Sequence, residues 1–374
     1  TSPISLMLNI VIIPIVSILV PILALVLLSY YIPILGTIIA FVAKNTCEFT
    51  IKLIDIAKIF ENWVIKLPTP SLFQIISFIV IIILLLPGII RVSRKRRAIL
   101  LSSTLVIFLV FSAVLKQNPL AYTQINVGQA DCAVIRDYDY TIVIDTGETG
   151  IELSNYLKRY NRGIDALFIT HLHNDHAGGI ESLIKNDIPI KNVYISKWAQ
   201  HADCDEYSKE LLQLLRDNGF NISEVVAGDN FYYKNTNIKV MFPEDTHIRP
   251  GKDPNDSAMA LLINIGNCNI LSMSDVTSKY EKYAAHRADI IKVGHHGSKT
   301  STSETFLNNV RPSMAIITSS IKSKTIPHID VINNLHDKNV SIFRSDVHGD
   351  INIYFDNTSY QVKTYTNKEQ YEQR

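Results

Sequence analysis

Residues 170–179 read T-H-L-H-N-D-H-A-G-G, which places His171, His173, Asp175 and His176 within six positions. One residue separates His171 from His173, so an extended backbone points both imidazoles the same way. Asp175 and His176 follow where the chain is expected to turn into a helix over residues 180–185. A lone H-x-H is more often surface chemistry than a ligand pair. The full H-x-H-x-D-H after the apolar run ALFIT (166–170) instead suits two closely spaced cations. Gly178 and Gly179 carry no side chains, so backbone can pack tightly beside these ligands.

Other ligand-type residues recur where strand-like runs end. NILSM (269–273) leads into Ser274 and Asp275, and DIIKV (289–293) leads into Gly294-His295-His296-Gly297-Ser298. TIVI (141–144) leads into Asp145-Thr146-Gly147. Loops at one edge of a layered fold can converge on a single cleft. There a carboxylate such as Asp275 can bridge two cations and His295 can complete the second site. Expected metal ligands are therefore His171, His173, Asp175, His176, Asp275 and His295. Asp145 reads either as a turn carboxylate that binds backbone N–H groups or as a partner behind a ligand.

The elements that must position these residues are short. From Tyr122 onward, YTQINV, CAVIR, TIVID, ALFIT, KNVYIS, NIKVMF, AMALLINIG, NILSM, DIIKV and MAIIT read as strands, with helices over 207–218 and 304–310. Strands and helices mix without a regular βαβ period. An αββα sandwich fits best: two mixed sheets face to face with helices outside.

The first part of the chain is different in kind. The net charge of +1 sums two unlike parts: residues 1–116 carry 10 Lys/Arg and 3 Asp/Glu, whereas 117–374 carry 26 and 32. Uncharged runs over residues 5–28, 71–90 and 98–115 are long enough to be membrane spans. The first lacks the basic flank of a signal peptide. Residues 30–42, broken by Pro33 and Gly36, read as a re-entrant or partly buried piece. Residues 44–67 read as an amphipathic helix at the membrane interface, with Phe49, Leu53, Ile56, Phe60 and Trp63 on one face. The expected division is a membrane part over 1–116 and a soluble domain over 117–374. Arg91, Arg94, Lys95, Arg96 and Arg97 form a short basic loop, which the positive-inside rule puts in the cytoplasm and which puts the soluble domain outside. Four lysines, at 44, 52, 58 and 66, argue the other way. The cysteines at 47, 132, 204 and 268 form no close-spaced metal or redox motif, and Cys132 and Cys268 sit in apolar runs as buried thiols. Because the chain opens on Thr1, a fragment of a longer protein is expected.

Together these motifs resemble the metallo-β-lactamase superfamily, and within it the ComEC-type competence channels of bacterial DNA uptake. The likeness runs through Asn126-Val127-Gly128-Gln129-Ala130-Asp131, VIDTG at 143–147, the H-x-H-x-D-H core, Asn255-Asp256-Ser257, Met273-Ser274-Asp275 and KVGHHGSKTSTS at 292–303. The start NIVIIP (9–14) is also similar to the late membrane helices of that family. Such a channel carries further membrane helices and an oligonucleotide-binding-like domain. Three positions depart from the pattern. No clear third histidine follows KNVYIS, with His201 a weak substitute; Ile326 stands where the family's Y-G-H-P has a histidine, with His328 beside it; and Ala130 replaces a glycine.

The resemblance implies a metal-dependent deoxyribonuclease at the plasma membrane that degrades the strand not imported. Its domain would lie on the extracytoplasmic side, with one or two Zn²⁺ or Mn²⁺ ions and no nucleotide cofactor. Expected partners are single-stranded DNA, the lipid bilayer and other DNA-uptake proteins. Catalytic roles are expected for Asp175, for His296 and for Asp131, which would steer a nearby ligand or the attacking water and reads equally as a plain turn carboxylate. Substrate contacts are expected from Asn255, Ser257, Ser298, Lys299 and Thr302, although His296, Ser298 and Thr302 could equally order their own loop. Against this stand a non-catalytic DNA conduit, since the soluble part is net −6, and a hydrolase of small esters or β-lactams.

Overall fold

The computed structural model describes residues 3–29, 32–58, 72–86, 92–115, 120–200, 205–245, 253–356 and 359–364. The chain divides into two compact units, Thr1–Thr69 and Pro70–Arg374. In the first, α1 (Pro3–Leu28) and α2 (Pro33–Lys58) are continuous helices. Ile10–Leu28 and Ile34–Asp55 within them are each long and apolar enough to cross a membrane. α2 runs unbroken through the break expected between the re-entrant or partly buried piece over 30–42 and the interface helix over 44–67. Pro33 opens α2 instead of breaking it, because its ring presets a helical φ at the first position. Gly36 fits because a Cβ there would stand 2.8 Å from the Ser29 carbonyl oxygen. The stretch 59–67, with Trp63, lies outside the described residues.

In the second unit, α3 spans Leu72–Leu85, shorter than the run expected over 71–90. Pro87 follows, and a helix usually ends before the residue preceding a proline. Next comes α4, Arg94–Leu115, which takes Arg94, Lys95, Arg96 and Arg97 into its first turn. Most of the expected basic loop is therefore helical.

Fifteen strands follow among the described residues: β1 (Ala121–Gln124), β2 (Ala133–Asp137), β3 (Tyr140–Ile144), β4 (Ala166–Ile169), β5 (Val193–Ser196), β6 (Ile222–Val225), β7 (Asn230–Tyr232), β8 (Thr236–Phe242), β9 (Ala260–Ile265), β10 (Cys268–Ser272), β11 (Ile290–Lys292), β12 (Met314–Ile317), β13 (Ser341–Arg344), β14 (Ile351–Phe355) and β15 (Tyr360–Thr364). One sheet has the order β15-β14-β1-β2-β3-β4-β5-β6 and the other β13-β12-β11-β10-β9-β8-β7. Each sheet is antiparallel in one part and parallel in the other, through β3–β6 in the first and β10–β13 in the second.

Alternation along the strands explains the layers. In β9, Leu261 and Ile263 join the core between the sheets, with Ile142, Phe168, Ile238 and Ile290. Their neighbour Leu262 faces the opposite side, with Ile291, Phe306 and Leu335 under the outer helices. The other sheet does the same: Val143, Leu167 and Ile169 meet Leu153, Leu157, Ile180 and Leu215. The result is the expected αββα sandwich, with parallel strands of both sheets ending at one edge.

That edge is tied by backbone. Thr146 N donates to His176 O at 2.7 Å, Gly179 N to Gly147 O at 2.8 Å, and Gly147 N to Asp131 O at 2.8 Å. A Cβ on Gly179 would stand 2.5 Å from the Thr146 carbonyl oxygen and 2.6 Å from Gly150 Cα, so two turns cross here at a spacing only glycine permits. Gly179→Ala is expected to destabilise the chain by about 1–3 kcal/mol through overpacking. Thermal unfolding of the purified chain checks this, and an unchanged Tm would contradict the crossing.

Candidate metal centre

The H-x-H-x-D-H segment leaves β4 and enters a one-turn helix, Asn174–Ala177. It meets the ends of β3, β10, β11 and β12, which bring Asp145, Asp275, His295, His296 and Thr318. Asp145, Ser274, His295 and His296 all have positive φ, at 59°, 46°, 48° and 54°. Left-handed backbone at non-glycine residues costs of the order of 1–3 kcal/mol each and persists only where surroundings impose it. Here His295 N is held by the Ser274 carbonyl oxygen at 2.8 Å.

His176 is fully buried, and its Nδ1 lies 2.8 Å from Asp145 Oδ2. The same carboxylate accepts from Thr170 N and Thr170 Oγ1, both at 2.8 Å. Asp145 thus fills both roles open in the sequence. On the other side of the ring, His176 Nε2 stands 3.3 Å from Asp275 Oδ1 and 3.8 Å from Asp175 Oδ2. His296 Nε2 stands 3.3 Å from Asp175 Oδ2 and 3.7 Å from Asp275 Oδ1. Metal–ligand bonds of about 2.0–2.2 Å put neighbouring tetrahedral ligands about 3.3–3.6 Å apart. Moreover, His176 Nε2, His296 Nε2 and Asp275 Oδ1 are buried atoms without a hydrogen-bond partner. Buried polar atoms normally have one. The four side chains fit a cation.

Two pairs lie beside it. His171 Nε2 and His173 Nδ1 are 3.0 Å apart, and His295 Nε2 is 3.7 Å from Asp275 Oδ2. Asp275 therefore faces His176 and His296 with one oxygen and His295 with the other. The rings of His171 and His176 have centroids 4.1 Å apart.

Charge in the cleft favours cations. Burial alone would push His176 down, but Asp275 and Asp145 outweigh it and hold it well above the ordinary histidine range. Burial would raise Asp275, yet His176 and His296 hold it well below the ordinary carboxylate range. Asp175 is lowered in the same way: burial opposes, and its contact with His296 and the charge of His176 prevail. His171 is pushed well down by burial and then by His176.

Other expected residues fall differently. His296 is buried at 2% exposure among the ligands, whereas the His295 side chain is 28% exposed at the rim. Asp131 offers an atom within 4.8 Å of His176, Asp275 and His296. Its oxygens, however, are engaged by Lys292 and Thr318, on the Nδ1 side of both imidazoles. It backs the ligands and is not placed to steer an attacking water. Thr302 is buried, its backbone N donating to Glu281, so it orders its loop and does not reach substrate. Ser298 pairs with Thr300 at 3.1 Å, and Lys299 lies 3.7 Å from Asp330. Ser298 is half-buried and Lys299 exposed. Asn255 and Ser257 form a buried turn, with Ser257 Oγ donating to the Pro254 carbonyl oxygen at 3.0 Å. That turn adjoins the site, since Met259 N donates to Thr170 O at 2.9 Å. His328 caps a helix, its Nδ1 accepting from Asp330 N at 3.2 Å, and His201 lies outside the described residues. Lys292 and Thr318 were missed: a lysine inside an apolar strand was the one signal for the first, and nothing marked the second. Cys132 and Cys268 are buried free thiols, as expected.

The metallo-β-lactamase superfamily model matches residues 125–317, which hold every candidate ligand named above. The chain belongs to the metallo-β-lactamase superfamily. A competence protein model matches residues 1–92, so the chain joins a stretch similar to competence proteins to the metallo-β-lactamase domain. ComE operon protein 3 of Bacillus subtilis (strain 168) is 32% identical over 203 residues, covering 52% of this chain and 25% of that protein. Recombination protein 2 of Haemophilus influenzae is 29% identical over 244 residues, covering 62% and 28%. The chain thus spans about a quarter of the length of these curated relatives. Among solved structures, the metallo-β-lactamase fold protein YhfI of Bacillus subtilis aligns with a TM-score of 0.41 at 14% identity, covering 60% of this chain and 95% of that one.

The superfamily implies divalent metal ions. Adding a divalent cation to the metal-stripped chain is expected to raise its Tm, by about 2.7 kcal/mol of stability at a hundred times Kd. Asp275→Ala should remove that shift. Equal Tm values with and without cation would contradict the site.

Proposed function

We propose that this chain is part of a membrane DNA-uptake channel, and that its metallo-β-lactamase domain hydrolyses phosphodiester bonds of the strand that is not imported. The observation that carries this reading is the set of three unpartnered buried atoms, His176 Nε2, His296 Nε2 and Asp275 Oδ1, beside Asp175 at ligand spacing. An inner cation would be held by Asp175, His176, Asp275 and His296. An outer one would be held by His171, His173, His295 and the other oxygen of Asp275. His295 then serves where the superfamily's third histidine is missing. Zn²⁺ or Mn²⁺ at these positions supplies water activation near neutral pH and neutralises phosphodiester charge.

The residues divide the remaining work. Asp145 accepts from His176 Nδ1 and so turns its Nε2 toward the cleft. Asp275 holds the two groups at a fixed spacing. The Asp175 side chain, 35% exposed, faces the mouth where a phosphodiester arrives. Ser298 and Lys299 on the lip are placed to meet a strand before it reaches the cations. Asn255 and Ser257 shape the adjoining wall.

The division is a membrane part over 1–116 and an extracytoplasmic domain over 117–374. Arg94, Lys95, Arg96 and Arg97 in the first turn of α4 oppose its helix dipole, a cost that anionic cytoplasmic headgroups offset at about 1 kcal/mol per base. An active alkaline phosphatase fused after Arg374 is the expected result. An inactive fusion at normal expression would place the domain in the cytoplasm.

Incubating the detergent-purified full chain with single-stranded DNA and Mn²⁺ or Zn²⁺ tests the chemistry. Cleavage is expected, and Asp175→Ala should abolish it while leaving the fold intact, because Asp175 is a rim carboxylate and not a core side chain. Intact DNA with metal-loaded wild type would favour a conduit whose soluble part is net −6. Equal cleavage by Asp175→Ala would place the activity elsewhere.

A further inference from the structure

We propose that Thr318 is a positioning residue that sets the tautomer of His296 and thereby turns its Nε2 lone pair toward the inner cation. The proposal rests on the assignment of His296 to that cation. Thr318 follows β12 directly and is fully buried. His296 Nδ1 lies 2.9 Å from Thr318 Oγ1, and Thr318 Oγ1 donates to Asp131 Oδ1 at 2.5 Å. Asp131 Oδ2 is paired with the buried ammonium of Lys292.

Counting protons gives the rest. A carboxylate beside a buried ammonium is an acceptor only, and a threonine hydroxyl has one proton. With that proton given to Asp131, Thr318 Oγ1 can only accept from His296. The imidazole proton must then sit on Nδ1. This leaves Nε2 as a lone pair, and Nε2 is the atom without a hydrogen-bond partner that faces Asp175 Oδ2 at 3.3 Å. The two inner histidines are thus oriented by different means. His176 is backed directly by Asp145, whereas His296 is backed through a hydroxyl whose direction Asp131 and Lys292 impose. Removing the hydroxyl frees the imidazole to place its proton on Nε2, where it blocks the cation.

Calorimetric titration of the metal-stripped full chain with Zn²⁺ tests this against Thr318→Val and Thr318→Ser. Wild type should bind two equivalents. Thr318→Val should weaken one of them about 10- to 100-fold, the usual size of an outer-partner effect, and leave the other unchanged. Thr318→Ser keeps the hydroxyl and should bind close to wild type, a rescue that mere packing would not give. If Thr318→Val binds both equivalents as tightly as wild type, or Thr318→Ser fails to rescue, the role of Thr318 is overturned while the cation site stands. If wild type binds no Zn²⁺, both fall together. Should Thr318→Val not fold, ¹⁵N-histidine spectra of the metal-stripped wild-type chain decide: a neutral His296 with its proton on Nδ1 is expected, and one with its proton on Nε2 overturns the proposal.

Discussion

Three carboxylates, Asp131, Asp145 and Asp275, and three imidazoles, His171, His176 and His296, are buried together where strands of two sheets end. Ionised groups away from water are tolerated only when paired and hydrogen-bonded, and leaving one uncompensated costs about 3–5 kcal/mol. The surrounding structure answers this demand group by group. Asp145 is held by Thr170 and His176, Asp131 by Lys292 and Thr318, and Asp275 faces His176, His295 and His296. Strained backbone at Asp145, Ser274, His295 and His296 is the means by which three short loops deliver Asp145, Asp275 and His296 to one place.

The sandwich makes the arrangement rigid. Thr170, after a strand of the first sheet, accepts a hydrogen bond from Ser274 Oγ at 2.6 Å, after a strand of the second. Side chains that need fixed spacing therefore hang from two packed sheets cross-linked at the site itself. Positioning of this kind favours a reaction whose demands are charge neutralisation and orientation, and hydrolysis of a phosphodiester is one such reaction.

Much of this was legible in the sequence because the signals are local. An H-x-H after a strand fixes the direction of two side chains, and alternating apolar residues mark β9 and β8. The αββα layering and the convergence of His171, His173, Asp175, His176 and Asp275 followed from such patterns. What stayed hidden depends on three-dimensional neighbours. Whether His295 or His296 turns inward is decided by two positive φ angles that periodicity does not reveal. Whether Asp131 steers a ligand, steers a water or only holds a turn depends on Lys292 and Thr318, 161 and 187 residues away in sequence, which occupy its oxygens behind His296. Thr302 looks available beside a ligand loop, and its burial against Glu281 depends on a helix 21 residues earlier. In α2, a proline and a glycine read as breaks, although proline at a first helical position and glycine at a close approach are both compatible with a continuous helix.

X-ray absorption spectroscopy on the Zn²⁺- or Mn²⁺-loaded full chain tests the central claim most directly, because it reports the ligand atoms and the metal–metal distance together. The account predicts two ions per chain about 3.5–4 Å apart, as in two-metal hydrolytic sites. Each should have only nitrogen and oxygen ligands, including imidazole, at about 2.0–2.2 Å. Sulfur in the coordination shell, or a signal without imidazole ligands, would contradict it.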